Sequence, residues 1–302
     1  MFKLEGEAAS DSLSNPAAVA DKAGAIAVDG VAFMVDMIES VAMIIISCTI
    51  LATGIAPRMA IPVWVGTFSF VAAAVASLFV RCSSAAMTSV TARYNSIMWG
   101  LRFGMYGNIV VTFFTNAIVM GILYSKYPDE FGGEKEGWKY FSCLLLGMIA
   151  SAMVWEITAY FTSPMCSPTR SIGAAGITGP STLLIQGMGV GLISSFPIAF
   201  ILLFLVTACG AIGGQYGAAL GALGFANNVW FAIAANAVSH IAANADATCD
   251  SPEIANVRET TVALHMAGES CAAETRGYTI SLSVLAAFSC IAAFRQVRLN
   301  QV

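Results

Sequence analysis

Seven long apolar runs constrain the fold more than any other feature of this sequence. Each is roughly 18–30 residues long, the length that an α-helix needs to cross a bilayer. They cover 27–55, 60–80, 105–124, 139–163, 183–208, 216–243 and 277–295. The chain is 58% hydrophobic and only 11% charged, which is too apolar for a soluble domain of this size. The sequence therefore predicts an all-α fold, a polytopic transmembrane helix bundle of about seven spans, as a single transmembrane domain over residues 1–302.

Charge and ligand-type residues exclude several functions. The formal charge of −4 argues against a nucleic-acid partner. The two histidines, His240 and His265, are too few to favour histidine catalysis or a histidine metal site. The eight cysteines show no metal-ligand spacing, so we interpret them as small buried apolar residues.

The loop charges predict the orientation in the membrane. Residues 81–102 carry three arginines and no acid, whereas 125–139 mix lysines with acids. The positive-inside rule places the first loop in the cytoplasm and the second on the opposite side. Following the spans from there brings the acid-rich segments 1–30 and 244–276 together on the cytoplasmic face.

Four acids enter the first span on one predicted helix: Asp21, Asp29, Asp36 and Glu39. Asp29 and Asp36 fall about 20° apart around that helix, and Glu39 follows about one turn later. A charge at membrane depth costs roughly 2.5–3.5 kcal/mol, so the row favours an ion or proton path. The alternative is a helix start whose acids are stabilised by the helix dipole.

Other features have competing interpretations. Acids in 244–276 suit Mg²⁺ with a phosphate substrate, or else a solvated loop. Small residues at 213, 217, 221 and 224 predict close helix packing. Glu156 is either a buried, hydrogen-bonded acid that shapes the bundle, which we favour, or part of the ion path.

The segment NPAAVADKAGAIAVDGVAFMVDMIESV resembles the membrane-bound pyrophosphatases, which are ion pumps driven by inorganic pyrophosphate. The segments EITAYFTS, ITGPSTLLIQGMGVGLISSFPI and HIAANADATCDSPEIANVRETTVALHMAGESCAAETRGYTIS resemble later family motifs in the same order. The resemblance implies a sixteen-helix fold used as a homodimer. The chain matches the middle portion of that fold, without the family's final acidic motif.

The resemblance also implies a set of site residues. Substrate binding falls to Lys3, Glu5, Asn244 and Arg276. Metal binding falls to Asp21, Asp29 and Asp250, with Asp29 also catalytic because it matches an acid that polarises the attacking water. Asp36 and Glu39 match the ion gate. The implied cofactor is Mg²⁺, and K⁺ dependence stays open because Ala272 matches the dependent type and Thr275 the independent type.

Some family acids are replaced, notably by Ala25, Ala243 and Val262. The expected function is a pyrophosphate-energised H⁺ or Na⁺ pump, integral in an acidic-organelle, vacuolar or plasma membrane. The alternative is an inactive, truncated or degenerate relative that serves as a membrane scaffold or dimer partner. An unrelated secondary transporter ranks below both, because no internal repeat pairs the halves.

Overall fold

The computed structural model describes residues 16–52, 54–82, 89–131, 134–248 and 257–299. Within them, helices account for nearly all of the chain and no strand occurs. The α-helices are α1 (Pro16–Gly24), α2 (Val31–Leu51), α3 (Ala56–Ala76), α4 (Val90–Lys126), α5 (Glu134–Thr162), α6 (Ser167–Ala175), α7 (Pro180–Ala226), α8 (Val229–Thr248) and α9 (Arg258–Leu299). The predicted all-α bundle is confirmed.

Six stretches are long and apolar enough to cross a membrane, and one of them, Pro180–Ala247, contains a reversal. Gly214 has φ 65° and ψ −156°, a backbone conformation that only glycine adopts readily. Beyond it the chain folds back. Gly217 consequently lies so close to Cys209 that an added methyl group would be 2.7 Å from the carbonyl oxygen of Cys209. This stretch therefore covers the fifth and sixth predicted spans, and the protein is an integral multi-pass membrane protein.

The predicted sixth span, 216–243, is not one helix. A turn at Asn227 and Asn228 separates α7 from α8. The turn is stabilised by buried amides: Asn108 donates to Asn228 Oδ1 at 2.6 Å, and Asn228 donates to Ser151 Oγ at 2.7 Å. Hydropathy does not reveal the break, because the apolar residues continue on both sides of it.

Gly214 divides α7 into a first arm before it and a second arm after it. Glycines bring α5 and the second arm into backbone contact. A methyl group at Gly147 would clash with the carbonyl oxygen of Gly221, and one at Gly224 would clash with that of Leu144. The same helices are joined by Cys143 and Cys209, both buried and both free thiols. The predicted packing role of the glycine repeat is confirmed, and these two cysteines are buried as expected.

Helix α9 forms the centre of the bundle and contacts α2, α4, α5, α7 and α8. Its Tyr278 is fully buried and stacks on Phe225, with ring centroids 5.0 Å apart. By contrast, the first arm of α7 exposes large apolar side chains such as Leu192 and Phe196, as expected of a surface that faces lipid. The bundle thus places α9 beside the helix that carries the acid row.

Candidate functional site

The acid row begins on two helical segments joined by a wider turn. Pro16 starts α1, which carries Asp21, and a π-helical turn (Ala25–Gly30) carries Asp29 before α2 begins. Both acids are exposed. Such π turns are rare and frequently occur at functional sites. The sequence did not predict this turn. Because Asp29 lies in the π turn, it is not in regular α-helical register with Asp36.

Asp29 is paired with Arg276 of α9. The distance from Asp29 Oδ2 to Arg276 Nη2 is 3.7 Å, and the two side chains are 61% and 67% exposed. An exposed pair of this kind contributes about 0–1 kcal/mol to stability. The pair therefore does little to hold the fold together, and both groups remain accessible to a ligand. The structure thus brings together two predicted site residues from opposite ends of the chain.

The end of α8 completes the neighbourhood of the π turn. The ring of His240 lies against Gly30, where an added methyl group would be 3.6 Å from His240 Cδ2. His240 is thus a packed residue. The half-buried Asn244 lies one turn further along α8. Three other predicted site residues, Lys3, Glu5 and Asp250, lie outside the described residues.

Sequence reasoning missed a cluster at the same end of α8 and α9. His265 Nδ1 lies 2.8 Å from Asp246 Oδ2, and His265 Nε2 lies 3.6 Å from Glu269 Oε1. The two histidines were considered only as too few for catalysis or metal binding. The spacing of His265 and Glu269, four residues apart on one helix, was the available signal. In the described part of the chain, no three His, Cys, Asp or Glu side chains are placed to hold a metal ion.

The predicted gate acids, Asp36 and Glu39, lie on the exposed side of α2. The adjacent side of α2 is buried against α9. There Met37 is fully buried, and Ser40 Oγ lies 3.2 Å from Ser283 Oγ. The two acids therefore share an outward face of a membrane-spanning helix, while α9 holds the inner face.

A second charged cluster lies between α4, α5 and α9. Tyr106 donates a 2.7 Å hydrogen bond to Glu156 Oε1, and Arg102 Nε lies 3.6 Å from the same oxygen. Glu156 is thus hydrogen-bonded and joins two helices, as the favoured interpretation predicted, but its side chain is 36% exposed and not buried. Nearby, Glu274 is only 2% exposed. The sequence assigned Glu274 to an acidic cytoplasmic segment, but the structure buries it in the helix bundle.

Sequence comparison shows which known proteins this chain is similar to. The sequence profile of the family described as "Inorganic H+ pyrophosphatase" matches residues 1–302. A "Putative K(+)-stimulated pyrophosphate-energized sodium pump" of Clostridium tetani is 29% identical, over 97% of this chain and 42% of that protein. The protein with the same name in Bacteroides thetaiotaomicron is 24% identical, over 97% and 41%.

A plant protein is similar to the same extent. "Pyrophosphate-energized membrane proton pump 3" of Arabidopsis thaliana is 28% identical, over 97% of this chain and 39% of that protein. The chain thus spans about two-fifths of the length of the curated relatives it matches.

Proposed function

Because the chain belongs to the inorganic H⁺ pyrophosphatase family, we propose that it acts in a pyrophosphate-energised pump for H⁺ or Na⁺. The observation that carries this proposal is the ion pair between Asp29 and Arg276. It joins the acid expected to activate water to the base expected to bind phosphate. The same helical run then continues to the exposed acids Asp36 and Glu39.

The exposed pair suits phosphate chemistry. A guanidinium binds phosphate oxygens through charge-assisted hydrogen bonds, so pyrophosphate competes with Asp29 for Arg276. Asp29, once released, accepts a proton from the water that attacks phosphorus. The bridging P–O bond breaks, and two phosphate ions leave. Asn244 lies at the adjacent end of α8 and is assigned as a further substrate ligand by resemblance.

Magnesium fits this set of donors only in part. Carboxylate oxygens of Asp21 and Asp29 are the ligand type that Mg²⁺ prefers. The described residues supply no group of three or more metal-ligating side chains. Asp21 and Asp29 would hold Mg²⁺ together with phosphate oxygens, and the ion would supply positive charge against the phosphates. The family resemblance assigns three further residues to the proposed site: Lys3, Glu5 and Asp250.

The ion path is proposed to run along the outward face of α2. Asp36 and Glu39 are three residues apart and both exposed on a spanning helix. An uncompensated acid at this depth costs roughly 2.5–3.5 kcal/mol, which favours cation binding by the pair. The cation is H⁺ or Na⁺, since the names of the relatives include pumps for each.

Potassium dependence and dimerisation are further parts of the proposal. Thr275 is buried and donates to the carbonyl oxygen of Cys271 at 2.9 Å, whereas Ala272 is half-buried. Phosphate release measured with and without K⁺ shows whether hydrolysis depends on K⁺, as Ala272 predicts, or is independent of it, as Thr275 predicts. Cross-linking in membranes decides whether the protein is a homodimer.

The direct test measures Mg²⁺-dependent phosphate release from pyrophosphate by inverted membrane vesicles that contain the protein, together with H⁺ or Na⁺ uptake. We expect Asp29→Asn to abolish release. Asp129→Asn is the control, because Asp129 is an exposed acid in the short helix Asp129–Phe131 at the opposite end of α4. Normal membrane insertion with no phosphate release by the unmodified protein would contradict the proposal and favour the inactive, scaffold-like relative.

A further inference from the structure

Glu274 is the most deeply buried carboxylate that the proposed hydrolysis does not use. Its residue is 2% exposed, and its Oε1 atom has no hydrogen-bond partner. Burying an ionised carboxylate without adequate partners costs several kcal/mol, whereas a neutral carboxyl costs far less. The position therefore requires either a full ion pair or a bound proton.

An ion pair is poorly provided for. The charged groups that face Glu274 are Arg102 from α4 and Glu156 from α5, the thiol of Cys271 on its own helix is also close, and Trp155 of α5 donates a hydrogen bond to the carboxyl group. The ion pair of Arg102 is with Glu156, at 3.6 Å, and this acid also accepts the hydrogen bond of Tyr106. A single guanidinium therefore faces two carboxylates.

The charge count leads to the same conclusion. One guanidinium and two carboxylates give a net charge of −1 when both acids are ionised. A cluster at this depth is stabilised when one further positive charge neutralises it. A metal cation needs several oxygen ligands, and Glu274 Oε1 is the one carboxylate oxygen of this cluster that is buried and unpartnered. A proton needs only that oxygen.

We infer that Glu274 is a proton-binding site, held neutral beside the Arg102–Glu156 pair. The site does not depend on pyrophosphate hydrolysis. It lies two residues before Arg276 on α9, on the side of Arg276 away from the predicted span 277–295.

The test is infrared difference spectroscopy of the purified protein in detergent, in H₂O and D₂O. A protonated buried carboxyl gives a carbonyl band that is resolved from the ionised carboxylates and shifts in D₂O. We expect this band in the unmodified protein and in Glu259→Gln, whose side chain is 68% exposed on the same helix. We expect it to disappear in Glu274→Gln.

Three further measurements separate the competing outcomes. Glu156→Gln leaves Arg102 without its acid partner, so Glu274 is expected to lose its proton and pair with Arg102, and the band is expected to weaken. Retention of the band in Glu274→Gln would place the proton on another acid and overturn the assignment. A band that fades as NaCl is added at fixed pH would identify a Na⁺ site instead. Glu274→Gln is expected to melt within a degree or two of the unmodified protein, because glutamine mimics a neutral carboxyl. A large drop would indicate an ionised Glu274.

Discussion

The phenol of Tyr278 donates a 2.8 Å hydrogen bond to the carbonyl oxygen of Phe225, and the two rings stack 5.0 Å apart. Phe225 lies in the last turn of α7, where carbonyl groups lack partners within their own helix. The hydroxyl therefore satisfies a buried acceptor and fixes α9 to the end of α7.

Tyr278→Phe is predicted to destabilise the protein by about 1–3 kcal/mol, because the carbonyl group of Phe225 is left buried and unpaired. Thermal unfolding in detergent measures the loss. Tyr160→Phe is the control, since Tyr160 is 51% exposed. Equal melting temperatures for the two variants would show that the hydrogen bond contributes nothing.

Gly147→Ala is predicted to lower the melting temperature, because its methyl group meets the backbone of Gly221. Overpacking of this kind typically costs about 1–3 kcal/mol. Gly189→Ala makes the same change on a helix where nothing lies within 4 Å of the new methyl group. It is expected to be neutral or stabilising by up to about 1 kcal/mol, because alanine favours helices. If both variants have the same melting temperature, the close contact of α5 and α7 does not limit the stability of the protein.

Gly214→Ala is predicted to cost about 1–3 kcal/mol, because alanine is strained at φ 65° and ψ −156°. Gly210→Ala is the matched change in the helical part of the same α7 arm, with open space around the methyl group. We expect only Gly214→Ala to unfold at lower temperature. A lower unfolding temperature for Gly210→Ala than for Gly214→Ala would mean that the chain does not turn at Gly214.

Arg276→Met is predicted to change stability by less than about 1 kcal/mol, because its ion pair with Asp29 is exposed. Under the proposed function, the same variant loses the thermal stabilisation that Mg²⁺ and imidodiphosphate confer on the unmodified protein. Arg298→Met removes an exposed arginine from the other end of α9 and is expected to keep that stabilisation. Persistence of the ligand effect in Arg276→Met would remove Arg276 from the site.

The spans and the glycine contacts were predictable because apolar length and small-residue spacing act locally. The split at Asn227 and Asn228 was not, since its stability comes from Asn108 and Ser151 on other helices. The burial of Glu274 was equally hidden. It lies in a segment that carries several other acids, and only the packing of α4 and α5 removes it from water. The resemblance assigned Asp29 and Arg276 separately to the site, but their direct contact and its exposure required the structure.

Helix α9 has a mechanical consequence. Its 42 residues make a rod about 63 Å long, roughly twice the thickness of the hydrocarbon layer. Arg276 and Ser283 are separated by about two helical turns of that rod, and Ser283 touches Ser40, the neighbour of Glu39. Under the proposed function, an anion bound by Arg276 acts on the same rigid helix that touches α2 beside its acids.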